Sequence, residues 1–136
     1  MRRIWAAAVI ATLAAGPAAL AQSTVPSEVS RIGDVQIIRY LHGFLSDEER
    51  TLLMVIATNA DALETMMGGA GASGHAAMAV APGEGLVQGG MPSASAHAIA
   101  QLPDADTARA EALAGCEAAR QRGPACVVVL EVAPLR

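Results

Sequence analysis

With nine arginines, no lysine and 13 acidic residues, the 136-residue chain carries a formal net charge of −4, and it holds two cysteines. The missing amine excludes Schiff-base chemistry, pyridoxal phosphate included, and the phosphate-reaching lysine of a P-loop. The acidic balance disfavours nucleic acid and anionic lipid as partners, and no cofactor is expected.

The chain opens MRRIWAAAVIATLAAGPAALAQ, in which Arg2 and Arg3 precede an apolar run from Ile4 to Ala15, a Gly16-Pro17 break and Ala19-Leu20-Ala21. That is the anatomy of a secretory signal peptide cut near Ala21. The run falls short of the ~20 apolar residues that span a bilayer, and no later segment reaches that length. The expected organisation is a signal peptide over 1–21, a flexible N-terminus over 22–33 and a single domain over 34–136. Such a product is periplasmic or secreted, carries a charge of about −6 once Arg2 and Arg3 are removed, and is large enough for one core. Because Trp5 lies in the expected signal, Tyr40 and Phe44 are the aromatic residues left for that core. Burial of Ala, Val, Leu, Ile and Met alone stabilises such a domain modestly, so a covalent cross-link would help.

The segment Asp34 to Leu41, DVQIIRYL, is rich in β-branched residues and predicts a strand. Ser46-Asp47-Glu48-Glu49 then has the spacing of a capping box and predicts a helix start. Leu52, Leu53, Ile56, Ala60, Leu63 and Met67 recur at helical spacing up to Gly68-Gly69, and Asn59 and Asp61 weaken the middle of that run. GGAGASG, residues 68–74, reads as a flexible connection. HAAMAVAPGEGLVQGG predicts a strand, a type II turn centred on Pro82-Gly83 and a shorter strand. ASAHAIAQ, residues 94–101, alternates as a further strand. A second helix starts at a cap on Asp104 or Asp106, places Ala108, Ala112, Leu113 and Cys116 along one side, and stops at Gly123-Pro124. ACVVVLEV follows as a strand in which Cys126, Val128, Leu130 and Val132 share a face.

Cys116 on an apolar helix side and Cys126 on an apolar strand face point into one interface, and in an exported chain a structural disulfide is the expected state. A catalytic dithiol usually sits at a helix N-terminus with a spacing of two, and a zinc site needs about four ligands, so redox and metal roles are the weaker alternatives.

Other constellations compete with plainer explanations. Gly69, Gly71 and Gly74 match G-x-G-x-x-G, but after a helix rather than a strand, where a glycine linker is the simpler reading. Ser73-Gly74-His75 cannot supply a positioned triad. Met66, Met67, His75, Met78, Met91 and His97 offer thioether and imidazole ligands suited to copper, the alternative functional reading. The competing explanation is that methionines fill core gaps and histidines lie at the surface. Asp104, Asp106, Glu111 and Glu117 read as helix caps and a solvated face near Arg109 and Arg120 rather than as catalytic carboxylates.

Ala112, Leu113, Cys116, Cys126, Val127 and Val128, set in ARAEALAGCEAAR and CVVVLEV, resemble a group of small exported alphaproteobacterial domains of unknown function. The likeness covers roughly residues 75 to 133 and rests on an Ala-Leu-x-x-Cys helix followed by a Cys-Val-Val strand. Some proteins of that group carry a 5-aminolevulinate synthase label, which a lysine-free chain of this length does not fit. The expected fold is α+β: a small antiparallel sheet with two helices on one face, in the order β-α-β-β-α-β. The expected function is a non-catalytic periplasmic binding or accessory domain, its partner another envelope protein.

Overall fold

A two-residue turn at Gly33-Asp34, where Gly33 adopts φ +55°, joins β1 (Ser27–Ile32) to β2 (Val35–Tyr40) in antiparallel register. The computed structural model describes residues 25–68 and 74–135; the expected signal peptide and most of GGAGASG lie outside the described residues. β1 corrects the expectation of a flexible stretch over 22–33. SEVSRI alternates without an apolar run because it lies at a sheet edge, where one strand neighbour and half-covered faces suffice.

Ser46 caps α1 (Asp47–Thr58) with the expected capping box: its hydroxyl accepts from the Glu49 amide, and Glu49 accepts from the Ser46 amide. Asn59 has an extended backbone, closes α1 and caps α2 (Ala60–Met67) by accepting from the Ala62 amide. One apolar stripe thus continues over two short helices, because an Asn side chain competes for backbone amides in mid-helix.

β3 (His75–Val80) leads into a turn whose Ala81 carbonyl accepts from Glu84 and Gly85 amides. Pro82 and Gly83 hold its central positions as expected, but the positive φ that a type II turn requires falls on Gly85 (+72°) instead. β4 (Val87–Gln88) and β5 (Met91–Pro92) make a separate small hairpin around Gly89-Gly90. β6 (His97–Leu102), α3 (Ala105–Ala119) and β7 (Val127–Pro134) complete the chain order. Asp104, not Asp106, caps α3, its carboxylate accepting from the Thr107 amide at 2.7 Å.

The sheet is antiparallel with strand order β1-β2-β7-β3-β6, so the α+β class and the antiparallel sheet are as expected. The helices, however, do not share one face. Leu53, Ile56, Leu63 and Met67 of α1 and α2 pack on Ile37, Met78, Val80, Leu130 and Val132, while Ala108, Ala112 and Cys116 of α3 pack on Ala77, Ala79 and Ala81 from the other side. β3 is therefore buried on both faces, with large side chains toward α1 and α2 and methyl groups toward α3. The alanine layer lets α3 lie close to the sheet.

A register shift between β3 and β7 leaves Val129 as an extra residue: Ala79 faces Val128 but Met78 faces Leu130. The bulge reverses the alternation. Cys126 and Val128 accordingly face α3, whereas Leu130 and Val132 face the opposite helices, contrary to the single face expected from period-two spacing. Among the described residues, no helix is long and apolar enough to cross a membrane.

The disulfide between Cys116 and Cys126 closes at an S–S distance of 2.01 Å and joins α3 to the start of β7. Glu117 reinforces the link by accepting from the Cys126 amide at 2.6 Å and from Arg120 Nε at 2.8 Å. These hydrogen bonds, the one to the Cys126 amide foremost, hold the Glu117 carboxyl below its ordinary value. Gly83 and Gly123 meet backbone to backbone next to this loop, since a Cβ on Gly123 would stand 2.9 Å from Gly83 Cα.

Candidate functional site

β2 and β7 are paired so that Ile38 lies opposite Glu131, and β3 sets Ala77 on the other side of Glu131. The Glu131 carboxylate therefore points toward α3 from the middle of the sheet, and its residue is only 7% exposed. A charge in that position needs partners. Arg109 on α3 supplies one, Nη1 donating to Glu131 Oε1 at 2.7 Å while Nη2 donates to Asp106 one turn earlier. Tyr40 at the end of β2 supplies the other, its hydroxyl donating to Glu131 Oε2.

Both carboxylate oxygens are thus engaged, and the arginine is balanced by two acids. Burial first, and then the hydrogen bond and negative charge of Glu131, push the Tyr40 phenol up to about 12, against a smaller opposing pull from Arg109. The Arg109 guanidinium is held even more firmly charged, chiefly by its hydrogen bond to Glu131. A phenol kept neutral is a poor nucleophile near neutral pH, and both oxygens of the carboxylate are already taken by donors.

Next to this triad, His42 Nε2 lies 2.8 Å from the Val128 carbonyl oxygen and donates to it. The imidazole stands between two aromatic rings, with centroids 6.3 Å from Tyr40 and 5.4 Å from Phe44. A groove of about 540 Å³ opens here, lined by Val25, Tyr40, His42, Arg109, Leu113, Cys126, Val127 and Val128. Val25, Leu113, Val127 and Val128 give it an apolar lining, and Tyr40, His42 and Arg109 contribute its polar groups. An apolar surface with a few convergent polar groups is suited to binding and orienting a ligand.

The residues considered for copper are distributed over the molecule. Met67 and Met78 are buried in the core beneath α1 and α2, Met66 packs against its margin, and Met91 is exposed on β5. His75 and His97 lie on the other face of the sheet, four positions apart in the β3 register. The fold does not bring the six together. Among the described residues, no group of three or more His, Cys, Asp or Glu stands close enough to hold a metal ion. Of the acidic residues near α3, Asp104 is the cap as expected, whereas Asp106 pairs with Arg109 rather than capping, and Glu117 pairs with Arg120.

Glu131 was the residue whose role sequence reasoning passed over, yet its signal was present. A lone carboxylate inside VVVLEV, a continuous apolar strand, requires a buried partner. Comparison with protein-family models, curated proteins and solved structures gives no match.

Proposed function

We propose that the chain is an exported, disulfide-stabilised, non-catalytic binding or accessory domain of the periplasm, with the groove between α3 and the β2–β7 pair as its binding surface. The observation that carries this reading is the state of Glu131 beside an open apolar groove: its oxygens are occupied by Tyr40 and Arg109, leaving shape, apolar contact and a few polar groups as what the groove offers. The Cys116–Cys126 bond supports the oxidising location. An acidic composition and an apolar groove favour another envelope protein, or an apolar small molecule, over nucleic acid.

Two measurements test the reading. Intact-mass analysis of protein recovered from the cell envelope should give a chain cut near Ala21 with the mass of a closed disulfide; an unprocessed chain with two free thiols would refute export. Titration with an amphipathic fluorescent probe such as anilinonaphthalene sulfonate should show saturable binding that Leu113→Glu abolishes. Unsaturable or unaltered fluorescence would refute the groove.

A further inference from the structure

We infer that the β1 edge is a self-association surface on which a second copy of this chain pairs β1 to β1 about a twofold axis, independently of the groove described above. The main-chain geometry selects the residues. The Leu41 amide donates to the Pro26 carbonyl at 2.8 Å, and the antiparallel register with β2 is unbroken from Ser27 to Ile32. Along such a ladder, successive residues turn their amide and carbonyl alternately toward and away from the partner. Pro26, Glu28, Ser30 and Ile32 therefore bond β2, while Ser27, Val29 and Arg31 direct theirs away from the sheet. β1 ends the strand order, so among the described residues no strand meets those groups.

The two sheet edges differ. β6 at the far side is broken by a register shift against β3 and by Gln101 at φ +63°, which blunts it as a pairing template. β1 has neither proline nor bulge, and its Glu28 is drawn back onto β2 by an ion pair with Arg39. A six-residue, regular, unblocked edge invites another strand.

Only one antiparallel self-register engages all three outward residues, the one centred on Val29. It sets Val29 against Val29 of the second copy and Ser27 against Arg31 of the second copy, giving about six main-chain hydrogen bonds. No like charges stand opposite one another, because Arg31 meets Ser27 and Glu28 meets Ser30. The register also covers apolar surface. Met54, 44% exposed, borders a hollow along β1 on the α1 side with Ser30, Ala57 and Thr58, while Val29, 59% exposed, projects from the opposite face of the strand and would meet its own copy there. Backbone complementarity, side-chain self-complementarity and exposed apolar area thus point to the same isologous contact.

The chain as recovered from the cell envelope tests this by sedimentation across a concentration series combined with hydrogen exchange. The expected result is a monomer–dimer equilibrium in which the Val29 and Arg31 amides gain protection as the dimer fills. Val29→Lys, which opposes two ammonium groups on the axis, should abolish the dimer with an unchanged circular dichroism spectrum, whereas Val29→Thr should retain it. If the lysine variant does not fold, exchange in the unaltered chain decides alone. A chain that stays monomeric to its solubility limit would overturn the proposal, as would a dimer in which the Ser27, Val29 and Arg31 amides exchange as freely as in dilute solution.

Discussion

The imidazole of His97 lies over Gly115, so close that a methyl group on that glycine would stand 2.3 Å from His97 Cδ2 and 2.4 Å from Nε2. β6 and α3 are interlocked at this point, and the helix omits a side chain because a ring from the sheet occupies the space. In an exposed helix, Gly→Ala gains up to about 1 kcal/mol. Here overpacking should outweigh that gain, and Gly115→Ala should lower stability by about 1–3 kcal/mol. Adding His97→Ala should restore it, and a double-mutant cycle by thermal melting measures the coupling.

Glu49 extends the capping box into a tertiary tie. Besides the Ser46 amide, its carboxylate accepts from the amides of Leu86 and Val87, linking α1 to the β4–β5 hairpin. Burial is the largest influence and pushes its pKa up, but the hydrogen bonds from Ser46, Val87 and Leu86 together outweigh it, and the net value lies below the ordinary 4.5. A depressed carboxylate contributes stability that is fully present above its unfolded value and is lost as pH falls through the folded one. Glu49→Gln, which presents an amide NH₂ to amide donors, should cost about 1–3 kcal/mol at neutral pH. Urea midpoints measured as a function of pH should converge for the two proteins in acid.

The disulfide stands in the alanine layer, where each side chain contributes little burial. Closing a loop with a sequence separation of 10 is worth about 3 kcal/mol on the chain-entropy account. Cys116→Ala with Cys126→Ala should therefore lower the melting temperature by on the order of 10 °C. Reduction of the unaltered chain should give a similar loss by scanning calorimetry.

Tyr40 is the one tyrosine of the chain, so absorbance at alkaline pH reports its ionisation alone. The midpoint should fall near 12. Glu131→Gln should lower it by removing a negative charge and replacing a charged acceptor with a weaker neutral one, while Arg109→Gln should raise it by removing a positive charge. Because the folded value is raised, the phenol contributes stability present below its unfolded value near 10 and lost as pH climbs through 12. Loss of stability in that window should be smaller for Glu131→Gln.

Features governed by neighbours in sequence were legible before the fold. The Ser46/Glu49 box, the interruption at Asn59, the Asp104 cap and the proximity of the two cysteines all depend on spacings of a few residues. Features governed by long-range pairing were not. β1 has no apolar run because it is an edge, and the bulge at Val129 leaves no local mark yet reverses the faces of half a strand. The second helix face was written in HAAMAV, where neither parity is polar, and a strand apolar on both sides is one covered on both sides. The groove required three elements, β2, α3 and β7, to converge on Glu131, and no single segment carries that information.

The middle of the sheet belongs to the strand that comes latest in chain order. Without β7, the β1–β2 and β3–β6 pairs share no hydrogen bond, and each presents a bare inner margin to water. For a polypeptide delivered N-terminus first, from a ribosome or through a membrane pore, assembly then waits for the segment after Pro124. Cys126 arrives at the threshold of that segment, so cross-linking and insertion of the keystone strand fall within one short interval of synthesis or transit.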